Sequence, residues 1–206
     1  MSTNIEQLLQ RFPIVSDQVD ARELATLLRE LDRVLARHPS GAIVELGCYV
    51  GTTSLFIRRV LDSAGGDYDF HVYDSFAGLP PKTSKDHSVT GDQFVEGELH
   101  ASRKQFMMHF KKAGLLPPMV HKAWFSDLAP NDIPDQIVFA FLDGDYYESI
   151  RDSLALVTPK LSAGAVVVID DYANEALPGA AKATDEWLRL HGKPARVQAS
   201  LAIVYW

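Results

Sequence analysis

Residues 136–149 read QIVFAFLDGDYYES. Ile137 to Leu142 form an unbroken apolar run of strand length, and it stops on Asp143, Gly144 and Asp145. Residues 163–175, AGAVVVIDDYANE, repeat the pattern with a β-branched run that ends on Asp170 and Asp171. A strand apolar at successive positions is buried on both faces, the condition of a parallel sheet covered by helices. Between the two runs Ile150, Leu154 and Val157 recur at helical intervals, and Pro159 helps to end that helix. A helix joining two such strands makes them parallel, so their acidic ends emerge at the same edge.

The alternation extends outward. Upstream, Ala42 to Leu46 reads as a strand running into the glycine turn of GAIVELGCYVG, and TTSLFIRRVLDSA follows with Leu55, Phe56 and Val60 at helical spacing. DFHVYDSF is a second strand ending at Asp74, PMVHKAW a third, and ARVQASLAIVYW one or two closing strands. Further helices are expected over 20–37, over about 98–113 from Leu99, Phe106 and Phe110, and around Ala180, Ala183 and Trp187. Residues 78–97, GLPPKTSKDHSVTGDQFVEG, form a long polar loop, of the kind that often covers a site. The expectation is one α/β domain over 1–206, with N-terminal helices within about 1–38 and a lid-like loop at about 78–97.

Composition narrows the function classes. A formal charge of −7 argues against a broad nucleic-acid surface, which needs clustered Lys and Arg. No window approaches a membrane-spanning apolar stretch. The N-terminal MSTNIEQLLQRFPIVSDQVD carries acid where a signal peptide has its apolar core, so a cytoplasmic protein is expected. Cys48, the one cysteine, forms no internal disulfide and no Cys-rich metal cluster. A small-molecule partner remains.

Ligands of open α/β sheets gather at the carboxyl ends of the strands. The first end carries Glu45, Gly47 and Gly51, with Tyr49 and Thr52 in the same turn. This is not G-x-G-x-x-G, which seats a pyrophosphate on a helix. Glu45 beside the turn suits an amino group or sugar hydroxyls. Asp74, followed by Ser75, ends the second strand, where an acid accepts hydrogen bonds from ribose hydroxyls. Together they favour an adenosine-type cofactor without phosphate, and S-adenosylmethionine fits. Trp124, Phe125 and Ser126, at the third strand end, are either a core aromatic pair with a helix cap or the surroundings of the adenine.

Asp143, Asp145, Asp170 and Asp171 crowd into a small volume at the other two ends. Two such charges ~4 Å apart repel by roughly 4 kcal/mol at an effective dielectric of 20. The cluster must bind a cation, share protons or point its members apart. Only hard oxygen donors are present, which suits Mg²⁺ with Asp143, Asp170 and Asp171 as ligands.

The stretches GAIVELGCYVGTTS, VYDSFAGLPP, KAWFSDLAP, FLDGDYYESIRDSL and LSAGAVVVIDDY are similar to the metal-dependent O-methyltransferases of the macrocin type. The resemblance spans 41–172 and continues more weakly to the closing VYW. It implies a Rossmann-like class I methyltransferase fold: a mostly parallel seven-stranded sheet with an antiparallel C-terminal strand. It further implies that Glu45, Gly47 and Gly51 hold S-adenosylmethionine, Asp74 binds its ribose, Asp143, Asp170 and Asp171 hold Mg²⁺, and Asp145 is the general base. The acceptor is then a hydroxyl of a sugar or phenol. Ala123 stands where the family usually has glycine.

Three rivals stay open: a catechol-type O-methyltransferase, a nicotinamide oxidoreductase, and a non-catalytic cofactor-binding module. His71 and His121 read as core or edge histidines, Glu148 as a helix N-terminal charge. Lys82 and Lys85 are either solvated or able to meet an acidic substrate. The closing strands with Trp206 pack within one chain or across a homo-oligomer.

Overall fold

The computed structural model describes residues 3–91 and 93–206; Met1, Ser2 and Asp92, at the N-terminus and in the expected loop, lie outside the described residues. The helices are α1 (Ile5–Arg11), α2 (Ala21–Leu35), α3 (Thr52–Ala64), α4 (Arg103–Ala113), α5 (Tyr147–Val157) and α6 (Pro178–His191). The strands are β1 (Ser40–Leu46), β2 (Asp67–Asp74), β3 (Met119–Lys122), β4 (Ile137–Leu142), β5 (Leu161–Ile169), β6 (Arg196–Gln198) and β7 (Leu201–Tyr205). They form one sheet in the order β3-β2-β1-β4-β5-β7-β6. The first five are parallel, β7 runs antiparallel to β5, and β6 pairs antiparallel with β7. The closing segment is thus a hairpin of two strands, with Ala199 in the left-handed region at its turn.

The apolar runs divide between two cores because successive strand side chains point to opposite faces. Ile43, Phe139, Phe141, Val166 and Val168 pack under α2, α3 and α4. Val44, Leu46, Ala140, Leu142, Val167 and Ile169 pack under α5 and α6. The fully buried Leu28 and Leu31 hold α2 on the sheet, each worth about 1.5–3 kcal/mol relative to exposure. The carboxylate of Asp20 caps α2 by accepting from the Arg22 N–H at 2.7 Å and the Glu23 N–H at 3.2 Å.

One helix begins later than its periodicity predicts. α4 starts at Arg103, behind a capping box in which the Gln105 N–H donates to Ser102 Oγ and the Ser102 N–H to Gln105 Oε1. Leu99 instead adopts a φ of +56° and packs with Leu79, Tyr146 and Leu177, beyond the reach of α4. Among the described residues no helix is long and apolar enough to cross a membrane.

Candidate active site

The register sets the strand ends level. Leu46 of β1 pairs with Tyr73 of β2 and Leu142 of β4, and Leu142 pairs with Ile169 of β5. Main-chain bonds continue one residue further: Gly47 N–H to Tyr73 O, Asp143 N–H to Leu46 O, and Asp170 N–H to Leu142 O, at 2.8–2.9 Å. Gly47, Asp74, Asp143 and Asp170 therefore share one edge. A cleft of about 920 Å³ opens there, where the strand order reverses between β1 and β4.

On one side of the cleft Glu45 is fully buried. Its Oε2 accepts from Ser54 Oγ of α3, while its Oε1 has no partner among the described residues. Burial pushes its pKa up to about 8, partly offset by the Ser54 bond, with Asp74 adding to the rise. The Thr52 hydroxyl, which also lines the cleft, is likewise buried without a partner among the described residues. Such atoms are costly to leave unsatisfied, so this pocket suits a ligand that donates to Glu45.

Asp74 lines the cleft, yet its carboxylate first organises the turn. Oδ2 accepts from the N–H groups of Cys48 (2.8 Å) and Tyr49 (3.1 Å), and Oδ1 from that of Phe76 (2.6 Å). Oδ2 is thereby filled, while Oδ1 can still accept from a hydroxyl. Gly47 is required by the approach of β4: a Cβ there would lie 1.8 Å from the Asp143 carbonyl oxygen. Gly51 serves the packing as well. It is absent from the cleft lining, and its missing side chain makes room for the Phe106 ring, 2.7 Å from where a Cβ would stand. Tyr49, Ser75, Trp124, Phe125 and Ser126 all line the cleft.

On the other side one carboxylate oxygen each of Asp143, Asp145 and Asp171 lie within 4.8 Å of one another. Asp145 and Asp171 achieve this through left-handed backbone, at φ +60° and +57°. Asp170 is adjacent but engaged locally: its Oδ1 accepts from the Asp171 N–H at 2.8 Å and from Ser200 Oγ at 3.4 Å. Asp171 accepts from Asn174 Nδ2 at 2.9 Å. Burial, then mutual repulsion, pushes Asp143, Asp145 and Asp170 well above the usual carboxylate range. Asp171 is pushed up to about 6, chiefly by burial, against the lowering effect of the Asn174 bond. No Lys, Arg or His hydrogen-bonds to these four acids among the described residues. Converging hard oxygen donors that lack a cationic side chain fit a divalent ion of the Mg²⁺ type.

A family model described as Macrocin-O-methyltransferase (TylF) matches residues 13–206. The chain belongs to that family. It is 35% identical over 170 residues to an 8-demethyl-8-(2,3-dimethoxy-alpha-L-rhamnosyl)-tetracenomycin-C 4'-O-methyltransferase of Streptomyces olivaceus, covering 79% of this chain and 65% of that one. It is 28% identical to a mycinamicin III 3''-O-methyltransferase of Micromonospora griseorubida, covering 95% of this chain and 80% of the relative. The solved O-methyltransferase NovP superposes with a TM-score of 0.76 at 26% identity, over 91% of this chain and 80% of that chain.

The cleft of this macrocin-family chain is also lined by residues that no sequence pattern flagged. The segment between α1 and α2 lines the cleft through Ser16, Asp17 and Gln18, and Glu23 of α2 accepts from Ser200 Oγ near Asp170. Asn174, three residues after Asp171, is legible in hindsight as a turn-forming side chain. Glu148 stands in the first turn of α5 as expected, paired with Arg151 at the rim of the cleft. Lys85 is committed to the fold: its Nζ lies 3.5 Å from the Tyr147 ring centroid and 3.3 Å from Glu186 Oε1. Lys82 donates to the Gln93 carbonyl at 2.6 Å. His71 and His121 hydrogen-bond each other at 3.0 Å on the β2–β3 edge and do not line the cleft.

Proposed function

We propose that this protein transfers the methyl group of S-adenosylmethionine to a hydroxyl of a small molecule, a sugar unit or phenol of a natural product, with Mg²⁺ held by the strand-end aspartates. One observation carries the reading. The convergent carboxylates of Asp143, Asp145 and Asp171 share a cleft with an unpartnered, buried Glu45 oxygen, so a cation pocket and a donor-seeking pocket face one space. One similar protein is named for a rhamnosyl-bearing acceptor, which supports the sugar class.

In this reading Glu45 accepts from the amino-acid head of the cofactor and Asp74 from its ribose, with Trp124, Phe125 and Ser126 around the adenine. Asp143, Asp170 and Asp171 would hold the cation, and Asp145, whose carboxylate converges with those of Asp143 and Asp171, would be a further ligand or the base. When bound, such an ion neutralises the acids and lowers the pKa of an acceptor hydroxyl. In the transfer the S–CH₃ bond breaks as the O–CH₃ bond forms, and the hydroxyl proton leaves to a carboxylate. Asp145 is the candidate acceptor of that proton, since its carboxylate lines the cleft beside those of Asp143 and Asp171 and takes no side-chain hydrogen bond among the described residues. The cleft walls orient both reactants and exclude water.

Calorimetry with S-adenosylhomocysteine and Mg²⁺, separately and together, tests the reading. Asp143→Ala is expected to keep cofactor binding while losing Mg²⁺ binding and turnover. Full Mg²⁺-dependent activity in that variant would overturn the cation assignment, and binding of NAD(H) in place of S-adenosylhomocysteine would overturn the cofactor. Asp145→Asn separates two roles: loss of turnover with cation affinity retained marks the base, loss of both marks a ligand.

A further inference from the structure

Asp86 lies in the middle of the polar loop between β2 and α4, yet it is only 1% exposed. Its Oδ2 accepts from Thr83 N–H (2.8 Å) and Thr83 Oγ1 (2.6 Å), which closes a tight turn of the loop. Its Oδ1 accepts from the Tyr147 N–H at 2.7 Å. Tyr147 is the first residue of α5, and the preceding Tyr146 offers no side-chain cap. A residue 61 positions away thus supplies the cap that the local sequence lacks.

The geometry around Asp86 is exacting on a third element. Gly179, near the start of α6, sits so close that a Cβ would lie 1.9 Å from Asp86 Oδ1 and 2.6 Å from the Tyr147 nitrogen. The carboxylate is therefore wedged between the N-terminal ends of two helices, where a negative charge is favoured. The loop grips the same region at further points. Tyr146 Oη donates to Phe94 O (2.5 Å), Ser88 Oγ to Glu175 O (2.6 Å), and Lys182 Nζ to Lys85 O (2.5 Å). The opposite side of the loop faces the cleft through Leu79, Pro80, Phe94 and Leu99.

The acidic turn spans from Asp143, held by β1 through its N–H, to Tyr147, held by Asp86. Asp145 lies between these clamps, in left-handed backbone. Without the Asp86 bond the Tyr147 end of the turn would lose its capping acceptor, and with it a restraint on where Asp145 sits relative to Asp143 and Asp171. We propose that Asp86 is the positioning residue of this turn, so that docking of the loop and assembly of the carboxylate trio are one event. The proposal rests on the reading of the trio as a cation site. Groups that orient ligands in this way commonly govern metal affinity about 10- to 100-fold.

The test compares the full-length wild type with Asp86→Ala and Asp86→Asn. The readouts are amide hydrogen exchange, Mn²⁺ affinity and S-adenosylhomocysteine affinity. Asp86→Ala is expected to speed exchange over residues 143–150 about tenfold and to weaken Mn²⁺ about tenfold, with S-adenosylhomocysteine affinity held within about twofold. Asp86→Asn keeps an acceptor but loses the charge, and about threefold effects are expected. A folded Asp86→Ala with unchanged exchange and Mn²⁺ affinity overturns the proposal, as does faster exchange spread evenly over the chain. Where Asp86→Ala does not fold, an Asp86→Asn protein identical to wild type overturns it. A wild type that binds no Mn²⁺ defeats the cation reading instead, and exchange at 143–150 then decides the role of Asp86 alone.

Discussion

Asp145 combines two costs that an aspartate in a turn ordinarily avoids. Its backbone lies at φ +60°, and its half-buried carboxylate faces those of Asp143 and Asp171. Strain of this kind costs of order 1 kcal/mol or more and gathers at functional sites. Removal of the side chain relieves both the strain and the repulsion. The expected outcome is that Asp145→Gly raises the stability of the metal-free protein by about 1 kcal/mol in denaturant unfolding while Mn²⁺ affinity falls. A variant less stable than wild type would show that the side chain serves the fold. Left-handed backbone also explains which acids meet. Position at the strand ends suggests Asp143, Asp170 and Asp171, but the left-handed backbone of Asp145 brings its carboxylate to those of Asp143 and Asp171, while Asp170 accepts from the Asp171 N–H. A sequence announces acids at strand ends readily; it does not announce the sign of φ at a non-glycine residue.

Elements were legible in proportion to how locally they are determined. The runs Ala42–Leu46, Ile137–Leu142 and Ala165–Ile169 read as strands from their length and apolar content, and the helix joining the last two fixed their direction. α4 was harder. Leu99 continues the helical spacing of Phe106 and Phe110, but it is drawn into a contact with Leu79, Tyr146 and Leu177, and the Ser102–Gln105 box sets the start instead. That box can be probed directly. Ser102→Ala is expected to cost about 1 kcal/mol in thermal or denaturant unfolding and to leave S-adenosylhomocysteine affinity unchanged, since Ser102 does not line the cleft. A loss of cofactor affinity would mean that α4 transmits to the site through Phe106, which fills the space at Gly51. The loop was legible as a loop and no more. Its buried Asp86 looks in sequence like any other acid in a polar stretch, because its partner, the Tyr147 N–H, comes from the fold.

Over the whole molecule the site is a reservoir of protons. Burial raises Glu45 to about 8 and Asp171 to about 6, and it raises Asp143, Asp145 and Asp170 in the same direction. An unfolded chain releases such protons near pH 4, so between there and the folded values the native metal-free protein holds more protons than the unfolded one. The sign follows: these groups favour the fold fully below about pH 4, and that stability is lost as pH rises through about 6 for Asp171 and about 8 for Glu45. A cation at the trio competes with the same protons, so its stabilisation must run the opposite way. Thermal unfolding at about pH 5.5 and about pH 8.5 should therefore give a lower metal-free Tm at the higher pH and a larger upward shift on addition of Mg²⁺ there. Asp143→Asn removes one of the protons at stake and one ligand, and both pH effects should shrink in it. An Mg²⁺ shift equal at the two pH values would mean that the ion does not take the place of protons at these aspartates.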